Sequence, residues 1–375
     1  MLMADMLDYL AWRGDIEFTQ IPVNPVDALI FSTLSYIDFK DIVPDNPMQS
    51  LSMAEAAAGL FSLSEPQNRT RVKKDLVLLE AVAGSARFDN IRLSFYRSIL
   101  IPEADTQFAA MTIFLEDGSA YIAFRGTDST LTGWKEDFNM TFQTSIPAQR
   151  LALEYVQEFA EAHPIPIWMG GHSKGGNLAV YAAAKCGELL QKRIVEVHNQ
   201  DGPGFSEAMM NDPGYRAILP KLRSYVPQSS VIGMLLEHEE PYTIIKSNQV
   251  GIMQHDPYSW QVLGPNFQRV EELTADSRFL DRTFKNWLSQ MSNEERSEFF
   301  DTVFELLEST GAEHTGEIIR PQNVRAYLKT LKTNEYMRNV LASELVRLVS
   351  SARQAQSSTD AETPAILNKP QDETL

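Results

Sequence analysis

The chain of 375 residues has only one cysteine, Cys186. A single thiol excludes an intramolecular disulfide, so the fold does not require an oxidising compartment, although export is still compatible with it. Cys186 follows a run of small and apolar residues that is typical of a helix. We therefore expect it to be a small buried side chain and not a reactive group.

Basic residues are scarce compared with acidic ones. The chain has 33 Lys and Arg against 50 Asp and Glu, a formal net charge of −17. A nucleic-acid binder needs a basic face to neutralise phosphates, so we expect no nucleic-acid partner. Docking on anionic lipid by charge alone is disfavoured for the same reason.

Long apolar runs and a basic leader are also missing. No stretch has the length and apolarity of a transmembrane helix, and residues 1–8 carry early acids without a basic segment before an apolar run, unlike a signal peptide. We expect a soluble, cytoplasmic protein. There is no His-Glu-x-x-His motif, cysteine pair or Walker-type glycine loop, so neither a metal nor a cofactor is expected.

The most informative stretch that is present is residues 170–176, Gly-Gly-His-Ser-Lys-Gly-Gly. It centres a Gly-x-Ser-x-Gly motif on Ser173, after an apolar run typical of a buried strand and before small residues typical of a helix. That order indicates a nucleophile elbow, where a strained serine backbone requires small neighbours. The alternative is a glycine-rich turn with a surface serine.

Alternating strand and helix patterns surround this motif. Helical patterns at 148–162 and 175–190 lie between apolar runs, which predicts a mostly parallel sheet flanked by helices, an α/β fold. A turn at 116–119 separates two of the runs and predicts a hairpin. The predicted strands are 91–100, 108–115, 120–124, 165–169, 193–199, 222–226 and 242–245.

The two ends of the chain have a different composition. Residues 1–85 have mainly helical patterns, and they precede the predicted catalytic core at 86–265. Residues 266–349 form a second helical region, which we expect either to cover the site as a lid or to bind a protein partner. The polar stretch 350–375 is predicted to be a disordered tail. Oligomeric state does not follow from these patterns.

Two motifs together resemble a known family. Phe124-Arg125-Gly126-Thr127, followed by Trp134 and Asp137, and then Gly171-His172-Ser173-x-Gly175-Gly176, look like the class 3 (triacylglycerol) lipases. The resemblance implies an α/β-hydrolase fold, with Ser173 as nucleophile and Thr127 as an oxyanion residue.

A closer resemblance is to a bacterial family of uncharacterised lipase-like intracellular α/β hydrolases. The opening segment 7–15, Leu-Asp-Tyr-Leu-Ala-Trp-Arg-Gly-Asp, and the later segment 201–205, Asp-Gly-Pro-Gly-Phe, look like that family. The resemblance covers residues 1–265.

An oxyanion hole in this architecture takes one N–H from the residue after the nucleophile and one from the loop after an earlier strand. Those residues are Lys174 and Thr127 here. The alternative for Thr127 is that it only caps the following helix. The Lys174 ammonium is expected either to pair with a carboxylate, as suits an acidic protein, or to meet an anionic group on a substrate.

The general base must be a histidine after the serine. His255 lies in a loop after the last predicted strand, which is where the resemblance places the catalytic histidine, and His238 is the alternative. His172 is held in the elbow and is expected to be structural. His198 lies inside a predicted strand, and His314 lies in the helical region.

The acid is the least certain member. Class 3 lipases carry it after a later strand, but the matching segment 223–231 has serines at that place. Asp201, at the carboxyl end of the preceding strand, is the best substitute, because active-site groups collect at such strand ends. Glu237, Glu239 and Asp256 are the alternatives.

These residues predict a serine hydrolase that cleaves carboxylic esters, with a small-molecule or lipid ester as substrate. One alternative is a non-catalytic binding or scaffold protein on a hydrolase fold, suggested by the missing lipase aspartate and the long helical extension. Another is a thioesterase or peptidase that uses the same triad.

Overall fold

A computed structural model describes the backbone of residues 4–362 and the side chains of residues 4–356. Within that part of the chain, eight strands form one sheet whose spatial order is the same as the chain order. The strands are β1 (Ser50–Ser52), β2 (Arg92–Ile101), β3 (Thr106–Phe114), β4 (Ala120–Phe124), β5 (Ile167–His172), β6 (Ile194–Gln200), β7 (Leu222–Pro227) and β8 (Tyr242–Ile245). All seven predicted strands are confirmed, and their ends differ from the prediction by at most three residues.

The sheet changes direction at β4. Strands β1 to β4 pair antiparallel, with the predicted turn at 116–119 joining β3 to β4, whereas β4 to β8 pair parallel. The parallel half brings the carboxyl ends of β4, β5, β6 and β7 to one edge of the sheet, which is where ligands bind in open α/β sheets. This is an α/β-hydrolase fold with a helical extension.

Fifteen α-helices lie in the described residues. They are α1 (Met6–Arg13), α2 (Pro25–Leu34), α3 (Met53–Phe61), α4 (Lys73–Ala83), α5 (Leu131–Asn139), α6 (Pro147–Ala162), α7 (Lys174–Lys185), α8 (Glu188–Gln191), α9 (Glu207–Met210), α10 (Pro213–Ile218), α11 (Ala275–Ser289), α12 (Asn293–Glu308), α13 (Thr315–Ile318), α14 (Pro321–Thr333) and α15 (Glu335–Glu362). None of these helices combines the length and apolarity that a membrane span needs.

Local capping explains where two of the helices begin. The Asn24 side chain accepts from the N–H groups of Val26 and Asp27, with proline at the first position of α2. At α12, Ser292 and Glu295 form a reciprocal capping box.

One predicted helix is wrong in its extent. The pattern at 175–190 predicts a single helix, but the structure has two, α7 and the short α8. Gly187 separates them with a φ of +87°, a left-handed conformation that ends α7 and that glycine adopts without strain. Cys186 therefore caps α7, half-buried, and burial raises the pKa of its thiol to about 12, which keeps it unreactive.

The sheet has a hydrophobic core on each face. Helices α1 to α4 and the segment 258–267 cover one face, where α2 packs on β5, and α6, α7 and α10 cover the other. The region predicted as a helical N-terminal addition is thus one of the sheet's two outer layers. It also contributes the edge strand β1. The prediction missed this strand because three residues are too few to show an alternating pattern of apolar and polar side chains.

The C-terminal helices pack together and against α5. The last of them, α15, continues to Glu362, which corrects the predicted start of the tail at 350. Ser351 and Ala355 are fully buried, and Gln290 of α11 donates to Ser351 Oγ at 2.8 Å, so tertiary packing stabilises this polar segment as helix. Residues 363–375 of the predicted tail lie outside the described residues.

Candidate active site

Ser173 lies at the sharp turn between β5 and α7. Its backbone has φ +59° and ψ −134°, a strained conformation for a residue with a side chain. A Cβ at Gly171 would come within 2.2 Å of the Gly175 carbonyl carbon, and one at Gly175 within 2.2 Å of the Phe124 carbonyl oxygen. The two glycines of the motif therefore let the start of α7 lie directly on β4 and β5, with Ser173 at the turn.

His255 and Asp201 form a direct pair beside this serine. His255 Nδ1 lies 2.6 Å from Asp201 Oδ2, across 54 residues of sequence. The Asp201 side chain is fully buried, whereas a quarter of the His255 side chain is exposed. Within the described residues Ser173 Oγ makes no direct hydrogen bond to the His255 ring, but both residues line the same cavity.

Two further contacts hold Asp201 in place at the end of β6. Its φ is +56°, and its N–H donates to the Tyr225 carbonyl oxygen of β7 at 2.8 Å. Ser230 Oγ donates to Asp201 Oδ1 at 2.5 Å. Ser230 belongs to the serine-rich segment where the lipase resemblance led us to look for the acid, so that segment supports the carboxylate from β6.

His172 holds the His255 backbone. Its Nε2–H donates to the His255 carbonyl oxygen at 2.7 Å, so its Nδ1 accepts from the Tyr36 hydroxyl at 2.9 Å. Burial lowers the pKa of His172 well below its usual value, assisted by His255, so the ring is neutral. The structural role predicted for His172 thus includes fixing the segment that carries His255.

Thr127 lies in the loop after β4, and Lys174 is the first residue of α7, directly after Ser173. The predicted oxyanion hole requires these two positions. In the described chain, neither backbone N–H donates to another protein group. Thr127 does not cap the following helix, because Thr130 is the N-cap of α5. Thr127 Oγ1 instead donates to Asp137 Oδ2 at 2.5 Å.

Asp137 is an acidic group at the cavity wall. Burial raises its pKa to about 6, and the Lys174 ammonium and the Thr127 hydroxyl partly oppose the rise. Its second oxygen, Oδ1, is buried without a hydrogen-bond partner and lies 3.9 Å from Lys174 Nζ.

The Lys174 ammonium points away from the cavity into the protein. Its Nζ donates to Glu136 Oε2 at 2.8 Å, and to the Gln107 carbonyl and side-chain oxygens at 2.8 and 2.7 Å. Both charged side chains of the pair are fully buried. The expected carboxylate partner is therefore confirmed, and an anionic group on a substrate cannot reach this ammonium.

The alternative acids lie elsewhere. Glu237 is exposed and 3.5 Å from Lys285, and Glu239 is exposed. Asp256 lies 3.5 Å from Arg71 and accepts from the Tyr258 N–H.

The other histidines do not line the cavity either. His238 lies 3.2 Å from Glu240, and His198 lies within β6 beside Glu196. His314 pairs with Thr130 in an isolated β-bridge and lies 3.1 Å from Ser129 Oγ. Of the histidines after the elbow, His255 is thus the one that shares a cavity with Ser173.

A cavity of about 400 Å³ opens above Ser173. Ser173, Thr127, Asp137 and His255 line it, and apart from Lys174 and Thr141 the other lining side chains are mainly apolar. The C-terminal helices contribute four of them: Phe284, Trp287, Leu288 and Phe300.

Sequence reasoning missed three supporting residues, Tyr36, Glu136 and Ser230. Tyr36 had no motif around it, and Glu136 lies between Trp134 and Asp137 of the lipase-like motif but was given no role by it. Only the fold brings both side chains to the site. Ser230 had a weak signal, since it lies where the resemblance implied a catalytic group.

The sequence profile of the Mbeg1-like family matches residues 82–305 of the 375. Similar solved structures include the M37 lipase, with 14% identity over 56% of this chain and 68% of that chain and a TM-score of 0.36. They also include the Rhizomucor miehei lipase–propeptide complex, with 16% identity over 64% of this chain and 80% of that chain and a TM-score of 0.38. A deletion mutant of that complex has 16% identity, 64% and 79% coverage and a TM-score of 0.40. No curated protein matches the chain.

Proposed function

The chain belongs to the Mbeg1-like family, and from the site described above we propose that it is a lipase-like serine hydrolase that cleaves carboxylic esters. The observation that carries the proposal is the 2.6 Å hydrogen bond between Asp201 and His255 at the wall of the cavity that Ser173 lines. A buried carboxylate that orients a partly exposed imidazole next to an elbow serine is the arrangement of a nucleophilic triad.

In the proposed reaction Ser173 Oγ attacks the ester carbonyl carbon while His255 Nε2 takes the hydroxyl proton. Asp201 stabilises the resulting imidazolium through Nδ1–H, and the Thr127 and Lys174 N–H groups stabilise the oxyanion. His255 then gives the proton to the departing alcohol, and a water molecule hydrolyses the acyl-serine by the same route. The Ser173–His255 hydrogen bond is expected to form with substrate in place, as catalytic hydrogen bonds often tighten only then.

The binding-protein alternative is less well supported. Its motive was the missing aspartate after β7, and Asp201 supplies a carboxylate on His255 from β6 instead. No contact in the described residues favours a thioesterase or a peptidase over an esterase.

Activity-based labelling tests the proposal. A fluorophosphonate probe should label wild type and lose more than 99% of its signal in Ser173→Ala, and the same variant should not turn over p-nitrophenyl esters, since the nucleophile supplies about 10⁶-fold of the rate in such triads. His255→Ala should label slowly. Thr130→Ala, which removes the cap of α5 and a hydrogen bond to Asp128, is the matched control for a lost hydroxyl near the site. Undiminished labelling of Ser173→Ala would rule out the assignment.

A further inference from the structure

The C-terminal helices build part of the apolar wall of the cavity, and nothing in the reaction above requires it. Phe284, Trp287 and Leu288 of α11 and Phe300 of α12 line the cavity that Ser173 also lines. We name these four residues the roof. The loop after β7 contributes a further apolar set, Val231, Ile232, Leu235 and Leu236. A mostly apolar cavity of this size with a few reactive polar groups fits a ligand that is apolar except at its reacting group.

The roof is packed on the catalytic core. The Phe138 and Phe300 rings stack with their centroids 4.6 Å apart, which joins α5 to α12. Lys135 of α5 lies 3.2 Å from Asp301 of α12. Because α5 also carries Asp137, the roof is positioned relative to the reacting groups by direct contacts.

Two further contacts join the C-terminal region to segments beside the catalytic groups. Ser277 Oγ of α11 donates to the Ser230 carbonyl oxygen at 2.6 Å, and Ser230 in turn holds Asp201. At the start of α5, after the loop that carries Thr127, the Leu131 N–H donates to the Glu313 carbonyl oxygen at 2.9 Å. The C-terminal region therefore contacts both the acid side and the oxyanion side of the site.

We infer that the roof is the acyl-binding wall of the site, and that its side chains set the length of the single unbranched acyl chain that the enzyme accepts. The inference rests on the proposed ester hydrolysis. The ester carbonyl lies at Ser173, and the hydrocarbon chain extends between the roof and the loop after β7. The C-terminal helices are thus a part of the substrate site, and their role is selection of the acyl group.

The test is a chain-length series of p-nitrophenyl esters, from acetate through butyrate and octanoate to hexadecanoate. In wild type, kcat/KM should rise by about fourfold for each methylene that enters the cavity and then level off when the cavity is full. Phe284→Ala enlarges the cavity, so the plateau should move to longer chains and the ratio of kcat/KM for long over short chains should rise at least tenfold. Leu288→Trp fills the cavity and should move the plateau to shorter chains.

Phe299→Ala is the matched control. Phe299 packs against the roof residue Trp287, with ring centroids 5.4 Å apart, but it does not line the cavity. It should leave the chain-length profile unchanged. A profile that is the same in wild type, Phe284→Ala and Leu288→Trp would overturn the inference, and so would a Phe299→Ala profile that shifts as far as that of Phe284→Ala.

Binding measurements separate this inference from the proposed function. In the Ser173→Ala protein, calorimetric titration with saturated fatty acids should show affinity that increases with chain length and a plateau that Phe284→Ala moves. Wild type that is labelled by fluorophosphonate but shows no chain-length dependence would overturn the acyl wall and leave the hydrolase intact. Wild type that resists labelling but binds fatty acids with the expected plateau would overturn the hydrolase and leave the wall.

Discussion

Two buried carboxylates lie on opposite sides of β5, the strand that leads to Ser173, and each is paired with a basic side chain. On the β6 side, Asp201 lies 2.6 Å from His255, and on the β4 side, Glu136 lies 2.8 Å from Lys174. Both carboxylate side chains are fully buried, but a quarter of His255 is exposed and none of Lys174 is. The two pairs have similar hydrogen-bond distances, but only the basic residue of the first pair, His255, is exposed to the cavity.

This difference in exposure indicates that the first pair takes part in the proposed reaction and that the second pair stabilises the structure around it. The His255 ring is held at Nδ1 and faces the cavity, so it is able to exchange a proton with a substrate. The Lys174 ammonium donates to three oxygens inside the protein, so its contribution is to hold Gln107 and Glu136 beneath the oxyanion loop. Exposure of the base, and not the presence of an acid–base pair, decides which pair is catalytic in the proposed mechanism.

Among the changes that test this comparison of the two pairs, Asp201→Asn has the largest expected effect. An amide does not stabilise the imidazolium and disfavours the required tautomer, so kcat for p-nitrophenyl butyrate should fall by about 10³–10⁴-fold. The thermal midpoint should change by only a few degrees, because the amide oxygen still accepts from Ser230. A kcat within tenfold of wild type would show that the two pairs do not differ as described.

Lys174→Met should affect stability instead of chemistry. It leaves Glu136 buried without a counter-charge, which costs about 3–5 kcal/mol in the free energy of unfolding. The backbone N–H at position 174 is kept, so kcat of the folded variant should stay within about tenfold of wild type. Urea denaturation measures the loss.

The double variant Lys174→Met with Glu136→Gln is the control for this prediction, since it removes both charges and should recover most of the lost stability. If the single variant is as stable as wild type, the buried Lys174–Glu136 pair does not stabilise the folded state. A selective loss of kcat in the stable double variant would instead give Lys174 a chemical role.

The smallest effect concerns Asp137, a carboxyl group that lines the cavity and whose basic neighbour, Lys174 at 3.9 Å, is paired more closely with Glu136. Because its pKa is raised from 3.8 to about 6, the folded state keeps a proton that the unfolded state releases between those values. Its contribution to stability is therefore present below pH 4 and is lost as the pH rises through 6. The difference in unfolding free energy between wild type and Asp137→Asn should fall from pH 4 to pH 6 and be constant above pH 7. Urea denaturation across this range measures it, and a difference independent of pH would contradict the raised pKa.

The sequence predicted the fold class and the seven main strands because hydrophobic period and turn residues are local signals. It left four candidate residues for the carboxylate that orients the histidine, and two candidate histidines for the general base. The sequence favoured Asp201 over Glu237 because of its place at a strand end, and the structure adds the reason that β6 ends beside the segment that carries His255, while Glu237 faces solvent and Lys285. For the C-terminal helices the sequence left two alternatives, a cover over the site or a surface for a protein partner, since an amphipathic helix shows which face is buried and not what it is buried against. In the structure, four of their side chains line the cavity.

By itself, the sequence determined the turn at Ser173, because Gly-x-Ser-x-Gly between a strand pattern and a helix pattern is a local signal. Only the tertiary structure decided the partners: His255 for Asp201 across 54 residues, and Glu136 for Lys174 across 38. The physical reason is that a backbone conformation depends on the space around a few consecutive residues, whereas a charged side chain pairs with whichever group the whole fold brings within hydrogen-bonding distance and shields from water.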